Sequence, residues 1–335
     1  MANYTSVNGT DDDNIASVND VAANSIQSIN GASAHVPLWT GVGRDGRVMY
    51  SSDAESWTEY ESPAGETSDY WDISFGKDDS DGPRWIIATN TNPELRYSAD
   101  PTNSGSWSSI DFSGTSDLAR TVEYGATGTW IAGTGNDVFR STDGGDSWTK
   151  ITAVASGAGL MLCLATDGAG TWLLGGTVKV LKSWDDGLNW YESTATRANG
   201  IEYNNGVWFM TGHGTTSYRI TSIANSDTTD TWSAVTGISE QMWAICHISG
   251  DTWMTANFGN QPYLSTDNCA SWTTTDVATP SAGQIMALAS DGTTIVCGGK
   301  DNKVHTSTDN GESWTLRHTS AEEVLVIDYN KVKPF

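Results

Sequence analysis

The sequence predicts an all-β fold: a closed ring of seven four-stranded sheets, completed by the C-terminal strand and preceded by a short N-terminal arm. Three observations carry this expectation. A turn motif ending in tryptophan recurs seven times along the chain. Each period holds four short apolar runs separated by turn residues, and the last apolar run of the chain is of the type that the first period lacks. The boundaries read 1–36 for the arm and 37–335 for the ring.

The recurring segments are SSDAESW, SADPTNSGSW, STDGGDSW, SWDDGLNW, ANSDTTDTW, STDNCASW and STDNGESW. They end at Trp57, Trp107, Trp148, Trp190, Trp232, Trp272 and Trp314, which lie 50, 41, 42, 42, 40 and 42 residues apart. Self-similarity at such a period marks stacked or radial repeats, none of which buries its apolar face alone. In the last period, IMALAS, TTIVCGG, KVHTSTD and SWTLRHT are four strand-length runs joined by DG, KDN and NGE turns. The third, fourth and fifth periods repeat this grammar, with innermost runs RTVEYG, MLCLATDG and GIEYNN, and no apolar stripe of helical period interrupts it. Four-stranded sheets packed face to face around an axis make a seven-bladed β-propeller. The first period has only PLWTGVG, RVMYSS and SWTEYE, and EEVLVIDYN after the seventh supplies the missing innermost strand, so Val324 to Tyr329 is expected to close the ring.

Each residue type of the turn serves the turn. The aspartates Asp53, Asp100, Asp143, Asp185, Asp267 and Asp309 accept backbone N–H bonds, glycine or asparagine admits positive φ, and the tryptophan buries a large ring between sheets. These segments resemble Asp-boxes, the bacterial neuraminidase repeats, over residues 38 to about 330. The resemblance implies a β-propeller with its boxes at the blade perimeters, away from the ligand face. It leaves function open, since such propellers include sialidases, xyloglucan hydrolases, sorting receptors, photosystem assembly factors and phage particle proteins.

Composition excludes several classes. Net charge is −24, from 41 acidic against 17 basic residues, which repels nucleic acid and anionic lipid. No apolar run is long enough to span a membrane, and MANYTSVNGTDDDN lacks the blocks of a secretory signal, so the expectation is a soluble chain made in a cytoplasm and not exported. Cys163, Cys246, Cys269 and Cys297 form no CxxC pair and read as buried thiols. Five dispersed histidines, and acidic turns at 11–14 and 78–82 without a full ligand set, predict no metal; no cofactor is expected either.

No catalytic set is expected. Sialidases of the resembling family use three arginines, a Tyr–Glu pair and an Arg-Ile-Pro motif, and PLWTGVGRDGR lacks that motif. Glycoside hydrolases need two carboxylates about 5 to 9.5 Å apart. Glu123, Glu202 and Asp328 hold similar places on innermost strands and are the candidates for that alternative. Ligand-binding candidates on the expected loop face are Arg44, Arg47, Trp71, Arg197, His213, Trp243, Asn257, Phe258 and Lys300, a set of amides, cations and aromatics suited to a host-surface glycan or a protein.

The arm repeats too: SVNGTDDDNIA, SVNDVAANSIQ and SINGAS start at Ser6, Ser17 and Ser28, a period of 11. Such a segment orders on a partner, because it is too poor in apolar residues to make a core. It resembles the leaders of structural proteins in tailed phages, marine ones in particular. That resemblance implies a non-enzymatic virion protein, its arm docked to other virion proteins in a larger assembly and its propeller displayed for adhesion or decoration. The alternatives are a sialidase-like glycan hydrolase and an assembly factor resembling the photosystem II stability factor; the latter family carries an export signal and a basic patch that this sequence lacks.

Overall fold

The structure is a computed structural model that describes residues 37–62, 67–91, 95–112, 118–152, 154, 157–212, 214–224, 230–257, 261–275 and 284–330, with the backbone of four residue pairs between 17 and 33. It is a seven-bladed β-propeller of four-stranded antiparallel sheets, and no helix occurs among the described residues. The innermost strands of blades 2 to 7 are Tyr70–Lys77, Thr121–Tyr124, Met161–Thr166, Gly200–Asn204, Met242–Ser249 and Ile285–Ser290. In blade 1 that place is held by the C-terminal strand Val324–Tyr329, which pairs antiparallel with Trp39–Gly43. The closing strand expected from the sequence is therefore in place.

A column of aromatic rings explains how the blades stack. The second strand of every blade but the seventh opens near Trp39, Trp85, Trp130, Trp172, Trp208 or Trp253, each at most 5% exposed. In five blades this ring packs on its cross-strand partner on the innermost strand: Tyr329, Phe75, Tyr124, Tyr203 and His247, with centroids 4.6 to 4.9 Å apart. Such pairs add to the burial of the rings themselves. The same rings reach the preceding blade, where glycine makes room. A Cβ on Gly76 would lie 2.2 Å from the Tyr124 ring and 2.6 Å from Trp130, and one on Gly125 would lie 2.6 Å from Trp172.

The motif turns lie at the end of each sheet opposite the inter-blade connections, as strand order dictates. Asp309 accepts from the Ser307 hydroxyl at 2.7 Å and the Ser313 N–H at 2.9 Å, and Asp143, Asp185 and Asp267 repeat the pattern. Burial alone would raise these carboxyls, but the hydrogen bonds from flanking residues outweigh it and hold them below the usual carboxylate range. The serine also accepts the N–H of the positive-φ residue: Gly145, Gly187, Cys269 and Gly311. Trp57, Trp148 and Trp190 donate their indole N–H to a carbonyl three residues back, whereas Trp107 and Trp232 donate across to Tyr60 and Ser193. Asp100 instead caps Thr102, in keeping with its longer segment. All four cysteines are free, and burial pushes their thiols up.

In the arm, Ser17–Val18 pairs with Val21–Ala22 and Ser28–Ile29 with Ala32–Ser33, so two successive copies of the 11-residue repeat place the same two-residue ladder around Asn-Asp and Asn-Gly. The rest of 1–36 lies outside the described residues.

Replacing Gly76 by alanine should cost about 1–3 kcal/mol, the usual range for forcing extra volume into a packed site. Gly214→Ala, at an ordinary φ with nothing within 4 Å of the new Cβ, is the matched control and should shift stability by less than about 0.5 kcal/mol. Urea midpoints of the two variants check this, and equal midpoints would contradict the packing role of Gly76.

Candidate functional site: the central channel and its mouth

Seven innermost strands around an axis leave a channel, here a cavity of about 760 Å³. Five of these strands carry a register shift at their start, at Tyr70/Asp72, Met161/Cys163, Met242/Ala244, Ile285/Ala287 and Val324/Val326. The extra residue of each bulge, Trp71, Leu162, Trp243, Met286 or Leu325, lines the cavity. In the two blades without a shift, Arg120 and Asn199 line it from the same end. The mouth is thus a mostly apolar ring with two polar members. It sits at the inter-blade end of the sheets, opposite the motif turns.

Below the mouth, carboxyls line the wall. Glu123, Glu202 and Asp328 share one tier: each pairs one position before the residue facing Trp130, Trp208 or Trp39. Glu202 accepts the backbone N–H of His247 on the next blade at 3.1 Å. Asp72, two residues before that tier, does the same between blades 2 and 3. It accepts from the Thr121 hydroxyl at 2.8 Å and the Val122 N–H at 3.0 Å. These two acids fasten one innermost strand to the next. Burial, with the neighbouring Glu123 charge, raises the Asp72 carboxyl to about 7 against those hydrogen bonds. A second cavity of about 430 Å³ adjoins at the far end, between Phe75, Tyr124 and Tyr329, and shares Asp72, Glu123 and Asp328 with the channel. No group of three or more metal-ligating side chains occurs among the described residues.

The cations at the mouth differ in their commitments. Arg44 is spoken for: its Nε donates to Glu323 at 2.7 Å and its Nη1 to Asp69 at 2.6 Å, bonds that raise its pKa. Arg47 lies 3.7 Å from Glu59. Arg120 instead lies face-on to Trp71, its guanidinium carbon 4.4 Å from the ring centroid, with no carboxylate at ion-pair distance among the described residues. Arg197, in the connection leading into blade 5, likewise has no carboxylate partner among them, and its Nε is buried without a hydrogen bond. Burial lowers the pKa of both. Close by in sequence, Asn199 is 5% exposed; its Nδ2 donates to Met242 O at 3.1 Å and Gly212 O at 3.3 Å, while its Oδ1 has no partner.

Of the other candidates, Trp243 lines the channel, Lys300 is exposed in the loop between strands two and three of blade 7, and Asn257 is buried with its Nδ2 donating to Glu240. His213 and Phe258 lie outside the described residues. Sequence reasoning passed over Asp72, Asn199, Leu160 and Val178. Asp72 stands two residues before the tier of Glu123, where Ser74 holds the matching place, so aligning the innermost runs did not bring it forward. Leu160 and Val178 are 45% and 55% exposed at the mouth end of blade 4. Two hydrogen bonds between Leu160 and Thr177 hold their loops together.

No family model matches the chain, and no curated protein does. Among solved structures it is similar to one described as YCF48 bound to D1 peptide, at 14% identity and a TM-score of 0.58, covering 77% of this chain and 84% of that one. It is also similar to YCF48 from Cyanidioschyzon merolae, at 16% identity and a TM-score of 0.58, covering 76% and 87%. At such identities the likeness is one of fold.

Asp72 generates a pH prediction with a definite sign. Its folded value of about 7 lies above the ordinary carboxyl value near 4, so the folded state binds the extra proton between them. Its contribution to stability is present below about pH 4 and is lost as pH rises through about 7. Asp72→Asn should therefore flatten the fall in melting temperature between about pH 4 and 7. An unchanged slope in differential scanning calorimetry would contradict the assignment.

Proposed function

We propose that this chain is a non-enzymatic, protein-binding propeller that acts as an assembly factor, holding a segment of a partner polypeptide at the channel mouth. The observation that carries this reading is the contrast between wall and mouth. In the wall, Glu202, one of the three hydrolase candidates, and Asp72 are each hydrogen-bonded to the next blade and so serve the ring. The mouth, by contrast, offers Arg120 and Arg197, neither with a carboxylate at ion-pair distance among the described residues, beside exposed apolar side chains. The fold likeness to YCF48, one structure of which carries a D1 peptide, supports a polypeptide as the partner class.

A second reading keeps one observation of its own. The 11-residue repeat of the arm, with its recurring two-residue ladders, suits docking to other virion proteins of a tailed phage, the propeller then being displayed for attachment to a host-surface glycan or protein. Two short ladders are not independently stable in water, so the arm would order on what it binds. Mass spectrometry of purified phage particles separates the settings: this chain at stoichiometric copy number would place it in the virion, and its absence there would leave the assembly-factor setting.

The enzyme alternative has a direct assay. The purified chain should release no sugar from sialylated or neutral glycans, and Glu123→Gln, Glu202→Gln and Asp328→Asn should leave that baseline unchanged. Turnover lost in any one of them would overturn the non-enzymatic reading. A photo-crosslinking residue at Val178 should capture a polypeptide in cells that make this protein, whereas the same residue at Glu55, on the motif-turn end, should not; equal capture at both would remove the mouth as the site.

A further inference from the structure

The distribution of unmatched groups says what kind of segment the mouth takes. This chain carries 41 acidic side chains against 17 basic ones, so a cation without a carboxylate is the exception. Most of the described lysines and arginines have one, down to the fully buried pair Lys182–Asp230 at 2.9 Å. Arg120 and Arg197 do not, and both stand in the connections leading into innermost strands, at blades 3 and 5. Between them, blade 4 exposes Leu160 and Val178. Asn199 adds a third independent feature: a side chain 95% buried on the channel wall whose Oδ1 accepts nothing. A buried acceptor without a donor is costly, which marks this end of blade 5 as a place where packing has not satisfied every polar group. Guanidinium groups already stripped of part of their water, one of them over the Trp71 ring, lose less hydration on meeting a carboxylate than exposed ones would.

We propose that the mouth over blades 3 to 5 is a docking site for an extended polypeptide segment in which a carboxylate flanks an apolar side chain. The carboxylate pairs with Arg120 or Arg197, and the apolar side chain covers Leu160 and Val178. This rests on the protein-binding reading above and specifies its ligand chemistry.

A random heptapeptide phage library selected on the full-length protein tests this. Enriched heptapeptides should place Asp or Glu within two positions of Leu, Ile, Val or Phe. A fluorescein-labelled consensus peptide, followed by anisotropy, should bind at least about tenfold more weakly to one of Arg120→Gln and Arg197→Gln and to the double variant, the loss expected for one charge-assisted contact. Leu160→Ser and Val178→Ser should weaken it as well. Lys77→Gln, at the opposite end of blade 2, should not, and unchanged melting temperatures exclude misfolding as the cause. Enriched peptides without acids, or binding that survives both arginine variants while Leu160→Ser and Val178→Ser abolish it, would overturn the carboxylate chemistry and leave the protein-binding reading standing. Peptides indifferent to all four mouth variants would overturn both.

Discussion

The structure depends on one constraint: a sheet with two apolar faces needs a neighbour on each side, and in a ring the first and last sheets must become neighbours. The strand Val324–Tyr329 meets this by entering blade 1 as its innermost member. The seam it makes is a core in its own right, in which Trp39, Met49, Val324 and Ile327 of blade 1 pack with Ala287, Ala289, Val296 and Val304 of blade 7. Hydrogen bonds then reinforce its rim. Glu59 accepts from the Ser320 hydroxyl at 3.1 Å and the Ala321 N–H at 3.2 Å and faces His318 Nε2 at 2.8 Å, and Arg44 ties Glu323 to Asp69 across the junction of blades 1 and 2. Partly exposed pairs of this kind contribute modestly one by one, so the apolar seam carries most of the closure.

The same constraint shapes the channel. Because blades meet along their innermost strands, polar side chains there are well placed to bond across to the next strand, and Asp72 and Glu202 do so. Acids in a propeller channel are therefore read first as inter-blade fasteners. At the strand starts Asn199 also bonds across, to Met242 O, while the bulges turn Trp71, Leu162, Trp243, Met286 and Leu325 into the mouth and the inter-blade connections carry Arg120 and Arg197. The described motif turns and the channel mouth thus lie at opposite ends of the sheets.

Fold and site were unequally legible in the sequence. Strand number, blade number and the closing role of the C-terminal run follow from residue types in order, because alternation, glycine turns and a 42-residue beat are local and repeated seven times. The turn aspartates were legible for the same reason, since their hydrogen-bond partners lie within four residues. Tertiary structure alone decided which polar groups are spent. Arg44 and Arg120 look alike in the chain, yet one bonds to Glu323, 279 residues away, and the other lies over the Trp71 ring with Asp69 acting on it beyond ion-pair distance. Glu202 and Asp72 are committed by backbone donors on the next blade, 45 and 50 residues on. Local sequence sets local conformation through short-range sterics and hydrogen bonds, but whether a charge is free to bind is settled by what the ring brings against it from another blade.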